Sequence, residues 1–319
     1  MTPNPAIADK LIRAVPTDRS LFLIDASIYI FRAWYGIPDR FYNNQGVPVN
    51  AVYGFMRFLF DWMMLAKPTH CVAAFDESLF SGFRHQLYPE YKANRSLPDS
   101  DLAFQLASCK KALGLVGIPS VASRVYEADD LIASLAKKAR KKGMRAIVLS
   151  RDKDLTQVIM PNDLFWDYTE QSCLEHHELL DLLGFNPSLM ADYLALMGDK
   201  VDNIPGLPGV GRVAAHQLVS KIGGLESIYA NLAAVETLSF RGAKQLAGKL
   251  KGLEEEVFLY RELTQVCDRV PVSIASSAIT VQQVDFAALA DFVLELGLSK
   301  ALSKPMAEFK EQLLGRELS

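Results

Sequence analysis

The chain has 319 residues, half of them hydrophobic, and a formal net charge of −3. Such a composition supplies a large core, or two, and excludes a disordered chain. It also excludes a generally basic nucleic-acid coat, while leaving room for local phosphate-binding patches.

Residues 1–20 carry Pro3, Pro5 and Pro16 but no apolar segment of signal-peptide length, and no later window approaches a membrane span. A cytoplasmic chain with an N-terminal extension over 1–20 is expected. Cys71, Cys109, Cys173 and Cys267 show no paired spacing, so buried thiols are expected rather than a zinc motif or a disulfide framework.

Leu21-Phe22-Leu23-Ile24 is a short apolar run ended by Asp25, the pattern of a buried parallel strand with a polar carboxyl end. Cys71-Val72-Ala73-Ala74-Phe75 repeats it and ends at Asp76, and Ala146-Ile147-Val148-Leu149-Ser150 leads to Asp152 and Asp154. Helical patterns over 52–65, 102–113 and 129–142 lie between these strands. The alternation predicts an α/β domain over 21–185 with an open, mainly parallel sheet flanked by helices. Ligands of such sheets sit outside the carboxyl ends of the strands, so the strand-end acids face one rim.

A fourth group of acids opens the helical run after Tyr126: Glu127, Asp129 and Asp130. One or two acids there would be ordinary capping. Carboxylates about 4 Å apart repel by roughly 4 kcal/mol at an effective dielectric near 20, so a fold that gathers more of them supplies a cation or spreads them into water.

Between the second strand and this helix, the stretch from Ser81 to Pro98 alternates basic and aromatic residues, among them Arg84, Tyr91, Lys92 and Arg95. That mixture follows a single strand by pairing phosphates and stacking bases; a solvated loop with tucked aromatics is the alternative. The run Lys137 to Lys142 lies in the last turns of its helix, where cations suit the dipole.

From Asn186 the pattern is mostly helical, and 186–319 is read as one further region. A helix over 189–197 closes at Gly198, followed by Asp199, Asp202 and the glycine-rich turn with Gly206, Gly209 and Gly211 before a helix over 213–222. Helix, glycine hairpin, helix is an arrangement that holds a duplex backbone without reading its bases. No strand precedes the glycines, which argues against a Rossmann loop.

Asp25, Asp76, Glu127, Asp129, Asp130, Asp152, Asp154, Asp199 and Asp202 thus make an oxygen-only donor set suited to Mg²⁺ or Mn²⁺. Other features tempt less. Glu175-His176-His177-Glu178 opens a helix, with Ser172 and Glu175 as its capping box. Trp34, Tyr35, Phe55 and Phe58 read as core or rim. Residues 251–260 read as a charged helix face, 270–274 as a late strand, and 286–296 as a helix before a tail.

Glu127-Ala-Asp129-Asp130, Ser150-Arg-Asp152-Lys-Asp154-Leu155, Tyr91-Lys92-Ala-Asn-Arg95, Gly198-Asp199-Lys-Val-Asp202-Asn203-Ile-Pro-Gly206 and Leu238-Ser-Phe-Arg-Gly-Ala-Lys244 together resemble the signatures of the 5′ nuclease superfamily, and within it the 5′-3′ exonuclease domain of bacterial DNA polymerase I. The resemblance implies a PIN-like nuclease fold with a helical arch at about 79–105 and a helix-hairpin-helix element at about 189–222. It implies a metal-dependent nuclease removing 5′ ends and 5′ flaps from DNA in replication and repair, alongside other proteins of those processes. Two or more Mg²⁺ or Mn²⁺ ions would be held in two sites, Asp76, Glu127, Asp129 and Asp130 near Asp25, and Asp152, Asp154, Asp199 and Asp202.

Lys92, Arg84 and Arg95 would be the cations of the arch, and Tyr91 a base-stacking ring. Gly206, Gly209, Gly211 and Arg212 would grip duplex DNA, with K⁺ bound at the hairpin backbone as in several relatives. A stand-alone monomer is expected. The sequence departs from the pattern at Val213-Ala214, where many relatives have Lys-Thr, and at Arg151, in place of a small residue. A PIN-like ribonuclease and a catalytically silent DNA-junction binder are the competing readings.

Overall fold

The computed structural model describes residues 19–78 and 81–317, together with Ile7 and Lys10. The extension expected over 1–20 lies almost wholly outside the described residues, as do 79–80 of the expected arch. Six strands form one sheet in the order β3-β2-β1-β4-β5-β6. They are β1 Ser20–Asp25, β2 His70–Asp76, β3 Ser120–Ser123, β4 Arg145–Leu149, β5 Leu164–Asp167 and β6 Ser172–Glu175. All neighbours pair in parallel except β5 and β6.

Among the described residues, six helices accompany the sheet: α1 Ala26–Gly36, α2 Asn50–Ala66, α3 Phe83–Leu87, α4 Ser100–Leu115, α5 Ala128–Lys141 and α6 His176–Leu183. The two-residue period of the strands decides which side chain meets which layer. Phe22 and Ile24 of β1 enter a core with Phe55, Leu59 and Trp62 of α2, whereas Leu21 and Leu23 enter a second core with Leu131, Ile132 and Leu135 of α5. Both faces of β1 are covered, which is why its run is uniformly apolar.

A second group of helices follows: α7 Met190–Met197, α8 Arg212–Lys221, α9 Leu225–Ala230, α10 Leu232–Glu236, α11 Ala243–Leu250 and α12 Glu254–Thr264. It has its own core, built from Leu194, Leu196, Ala215, Leu218, Leu250 and Val257. The chain then returns to the sheet through α13 Ser276–Ile279, α14 Phe286–Glu295 and α15 Ser299–Glu317. Leu289, Val293, Leu302 and Phe309 join the core of Phe22 and Trp62, and Phe309 stacks on Phe60 with ring centroids 4.9 Å apart.

The single region expected over 186–319 is therefore divided, because α15 packs on α2 and α14 on α4 rather than on the helical core. A strap fastens the return: Gln282 N–H donates to Gly117 O at 2.8 Å. A Cβ at Gly117 would stand 2.1 Å from the Gln282 carbonyl oxygen.

Several smaller expectations change. Residues 270–274 form no strand; they are irregular chain held by Lys138, whose Nζ donates to the carbonyls of Val270 and Val272, and by Lys142, which reaches Ile274 O. The basic run on α5 thus fastens backbone. Ser172 belongs to strand β6, and the capping box lies one step on, between Glu175 and Glu178. Among the described residues of the expected arch over 79–105, the short α3 is followed by turns over 89–94 and an irregular run into α4. Phe55 and Phe58 are core residues, while Tyr35 is 80% exposed. Cys71, Cys109 and Cys173 are buried free thiols, and Cys267 is partly exposed.

Candidate active site at the carboxyl rim of the sheet

The chain runs from β1 to one side of the sheet and takes up the other side at β4, so the crevice between the carboxyl ends of these two strands is the topological switch point. Asp25 ends β1 there. Ser150, directly after β4, closes the crevice: its Oγ donates to Asp25 Oδ2 at 3.0 Å and accepts the Asp152 N–H at 3.0 Å. Asp152 in turn caps the short helical turn Lys153–Val158 by accepting Asp154 N–H at 2.9 Å. Asp76 ends β2 and is oriented by Ser78, whose Oγ lies 2.7 Å from its Oδ1.

Burial, and then the charge of Asp152, push the Asp25 carboxyl up to about 7. Burial followed by Asp152 also holds Asp129 and Asp154 well above the ordinary carboxylate range, with Asp25 adding to Asp129 and Asp199 to Asp154. One oxygen of Asp154 is buried with no hydrogen-bond partner. These acids raise one another because they share a low-dielectric rim without enough positive charge.

The adjoining half of the rim is neutralised. Lys92 Nζ lies 2.7 Å from Glu127 Oε1 and 3.7 Å from Asp202 Oδ2, and Arg95 Nη2 lies 2.7 Å from Asp202 Oδ1. Burial opposes the Glu127 charge, but Lys92 and Arg84 outweigh it and hold the carboxyl below its ordinary value. Burial likewise opposes the Lys92 ammonium, and Glu127 and Asp202 overcome it. Asp202 stays raised, because its burial outweighs Lys92 and Arg95. Asp199 turns its Oδ1 to the Val201 N–H at 2.7 Å and has Lys153 at 3.9 Å.

Three expectations need correction. Asp130 is no candidate metal ligand. It is fully buried, its Oδ1 accepts from Arg84 Nη2 and Cys267 N, and its Oδ2 accepts from Arg84 Nη1 and Glu127 N, which uses the four acceptor positions of a carboxylate. Arg84 is no free cation. Two further donors go to the carbonyls of Leu263 and Gln265 and Nη1 also lies 3.6 Å from Glu127 Oε2, so it ties α3, α5 and the end of α12 together. Tyr91 is no exposed stacking ring. It is 1% exposed, and its hydroxyl lies 3.1 Å from Glu127 Oε2 and 2.9 Å from Asp202 Oδ2.

Glu127, Asp129, Asp154, Asp199 and Asp202 line one small pocket with Arg84, Tyr91 and Ile204. Among the described residues, no three acids stand close enough to form a ready-made cage for an ion.

Beside this pocket the chain reverses through a tight hairpin, with Asp199 and Ile204 exchanging both backbone hydrogen bonds at 2.8 and 2.7 Å. Gly198 and Gly206 make it possible: both have positive φ, and a Cβ at Gly206 would lie 2.3 Å from Gly198 N. Gly206 is buried and serves the turn. Gly209, Gly211 and Arg212 are exposed at the start of α8 with open space around both glycines, and Val213 beside them is 66% exposed.

Arg151 turns away from the acids to Asp167 and Glu170 on the β5–β6 hairpin. Ser150 and Asn203 stand inside the signature motifs of the sequence but were not singled out as site residues: a serine after a strand and an asparagine in a turn are ordinary, and their hydrogen-bond partners are what mark them.

Comparison with known proteins fits this geometry. The family model described as the 5′-3′ exonuclease N-terminal resolvase-like domain matches residues 20–184, and that described as the 5′-3′ exonuclease C-terminal SAM fold matches 185–287. A 5′-3′ exonuclease of Aquifex aeolicus is 31% identical over 300 residues, covering 94% of this chain and 99% of that protein. One of Buchnera aphidicola is 31% identical over 275 residues, covering 86% and 96%. DNA polymerase I of Mycobacterium tuberculosis is 36% identical over 279 residues, and the chain spans only 30% of its length.

Among solved structures, the T5 5′-exonuclease with bound zinc superposes with a TM-score of 0.60 at 18% identity, over 92% of this chain and 99% of that one. The catalytic core of Rad2 in complex with DNA substrate gives 0.60 at 20% identity, over 97% of both. These two likenesses speak to the fold. The matched family spans the helical region as well as the sheet, which a PIN-like ribonuclease reading does not require, and the chain belongs to the 5′-3′ exonuclease family of DNA-hydrolysing enzymes.

Proposed function

We propose that the rim at the switch point is a divalent-metal site that hydrolyses DNA phosphodiesters at 5′ ends and 5′ flaps next to a duplex. One observation carries this reading: Asp25, Asp129, Asp152 and Asp154 crowd together without a lysine or arginine at ion-pair distance among the described residues, although Glu127, Asp130 and Asp202 beside them all have one. An all-oxygen set with an unpartnered buried carboxylate oxygen fits Mg²⁺ or Mn²⁺. Such ions, when bound, supply positive charge and a readily deprotonated water for in-line displacement on phosphorus.

In this proposal Asp25, Asp76, Glu127, Asp129, Asp152, Asp154, Asp199 and Asp202 are the acids available to the ions, and Ser150 and Ser78 hold two of them in place. Lys92 and Arg95 exchange their carboxylate partners for phosphate oxygens as charge builds on the scissile group. The T5 5′-exonuclease has been solved with zinc, the T5 D15 flap endonuclease with DNA and metal ions, and the catalytic core of Rad2 with DNA substrate; divalent metal and DNA are likewise proposed as ligands of this chain.

Duplex DNA is assigned to the hairpin side. Residues 212–251 carry Arg212, Lys221, Arg241, Lys244, Lys249 and Lys251 against only Glu226 and Glu236 in a chain of net charge −3. Among the described residues none of these cations has a carboxylate partner, so they are free to meet phosphates. The proposal includes K⁺ at the hairpin backbone, which would make duplex affinity higher in KCl than in NaCl at equal ionic strength.

The test is a DNA 5′ flap labelled at each end in turn, with a matched RNA flap alongside. Metal-dependent release of the DNA flap, abolished by chelator, is expected. Cleavage that persists in chelator, preference for the RNA flap, or tight binding without cleavage in Mn²⁺ would contradict the proposal.

A further inference from the structure

The turn residues 88–95 lie against the loop 199–203 through hydrogen bonds that run in both directions. From the first to the second, Lys92 N–H reaches Asp202 O at 2.9 Å, Asn94 Nδ2 reaches Lys200 O at 3.0 Å, and Arg95 Nη2 reaches Asp202 Oδ1 at 2.7 Å. In return, Asn203 Nδ2 donates to Glu90 O at 2.7 Å. The two side chains nearest the centre of this contact, Lys92 and Asn203, both sit at left-handed φ, +53° and +57°. Backbone held in that region by residues other than glycine persists where the surroundings over-determine it, and such places cluster at functional sites.

The bonds are of two kinds. Those of Lys92 Nζ and the Arg95 guanidinium end on Glu127 and Asp202, the carboxylates the proposed reaction calls upon, so they weaken whenever another cation takes those oxygens. The Asn203 amide is neutral and ends on a backbone carbonyl, so it keeps its partner throughout. Asparagine also suits the position twice over: it tolerates left-handed φ better than most residues, and its amide donates, where the isosteric aspartate would set an acceptor against the Glu90 oxygen.

We propose that Asn203 is a positioning residue: its amide pins the Glu90 carbonyl and fixes the register of the segment carrying Lys92 and Arg95 against the loop carrying Asp199 and Asp202. This rests on the reading of Lys92 as a phosphate-facing cation. Asn203 touches no substrate in this scheme and acts through Lys92. The neutral clamp holds when the ion pairs are exchanged for ligands, and the ammonium then stays within reach instead of swinging out with its turn.

The test uses the full chain with Asn203→Gly and Asn203→Ala. Glycine keeps the left-handed backbone and removes only the amide, whereas alanine removes the amide and strains the backbone. With Mg²⁺ and a 5′-flap DNA, both variants should lose kcat by roughly 10- to 100-fold with little change in KM, the scale for displaced supporting contacts and misplaced reacting groups. Adding Lys92→Ala to Asn203→Gly should cost much less than Lys92→Ala costs alone.

A readout independent of activity is the rate of tryptic cleavage after Arg95 in the metal-free chain, which should rise several-fold in both variants. Wild-type kcat in Asn203→Gly beside a damaged Asn203→Ala would assign the residue to backbone conformation alone and overturn the inference. Fully multiplicative losses with Lys92→Ala, or unchanged tryptic cleavage, would also overturn it. A wild-type chain that cleaves no flap would instead defeat the proposed function, and is told apart because the tryptic comparison still reads the clamp.

Discussion

Two halves of one acidic rim solve the same electrostatic problem in opposite ways. At the helix start and the hairpin, Glu127, Asp130 and Asp202 are met by Lys92, Arg84 and Arg95 at 2.7 Å each. At the switch point, no lysine or arginine among the described residues lies at ion-pair distance from Asp25, Asp129, Asp152 or Asp154; Asp25 meets the Ser150 hydroxyl and Asp152 the Asp154 amide, and burial with the neighbouring acids raises Asp25, Asp129 and Asp154 above the ordinary carboxylate range. Acids next to one another in sequence can fall on opposite sides of this line: Asp130 is an internal brace, while Asp129 beside it faces the crevice. A carboxylate whose lone pairs are all taken stabilises the fold, and one left crowded is held available for a cation the chain does not itself supply.

The sharpest way to break this comparison is to neutralise one acid from each half. Asp129→Asn or Asp152→Asn should lower flap cleavage in Mg²⁺ by at least about 1,000-fold, as for groups acting directly in a preorganised site. Metal-free melting should stay level or rise, because a repelling charge is gone. Asp130→Asn should do the reverse to the fold, costing about 3–5 kcal/mol in urea unfolding by leaving Arg84 buried and incompletely paired.

Lys92→Ala should slow cleavage by roughly 10- to 100-fold while leaving duplex affinity in chelator nearly intact. Equal losses in rate and binding would place Lys92 with the duplex contacts instead. Arg212→Ala should weaken duplex binding about equally across sequences and lower the salt slope by about 1; a change in sequence preference would contradict a backbone contact.

Asp192 on α7 offers a smaller effect between the two classes. Its carboxyl is pushed up to about 6 by burial, against the pull of Arg261 at 3.8 Å and with a push from Glu226. An acid raised above its unfolded value of about 3.9 binds more proton when folded, so its contribution to stability is complete below about pH 4 and is lost as pH rises to about 6. Asp192→Asn should flatten the stability profile over that interval, checked by urea titrations across pH. An unchanged slope would assign the titration elsewhere.

Much of this was legible in the sequence, for identifiable reasons. β1, β2 and β4 announced themselves because strands covered on both faces have an unbroken apolar centre, and an aspartate ends β1 and β2 or follows shortly after β4. β3, β5 and β6 did not: four residues each, at or near the sheet edge, they carry too little pattern to separate from a loop. The return of α14 and α15 to the sheet was hidden because an amphipathic helix does not reveal which partner covers it. The gathering of acids at the strand ends followed from topology. Their division did not, because the cations that neutralise Glu127, Asp130 and Asp202 lie 35 to 107 positions away from them in sequence, in a stretch whose exposed aromatic and basic look gave no sign that Tyr91 and Arg84 are buried.

The central claim is that the uncompensated acids, rather than the ion-paired ones, create the metal affinity. Calorimetric titration of the DNA-free chain with Mn²⁺ tests it most directly, comparing wild type, Asp152→Asn and Lys92→Ala. Uptake by the wild type that is lost in Asp152→Asn and kept or strengthened in Lys92→Ala is the expected result. No uptake by the wild type, or uptake indifferent to Asp152→Asn, would contradict it.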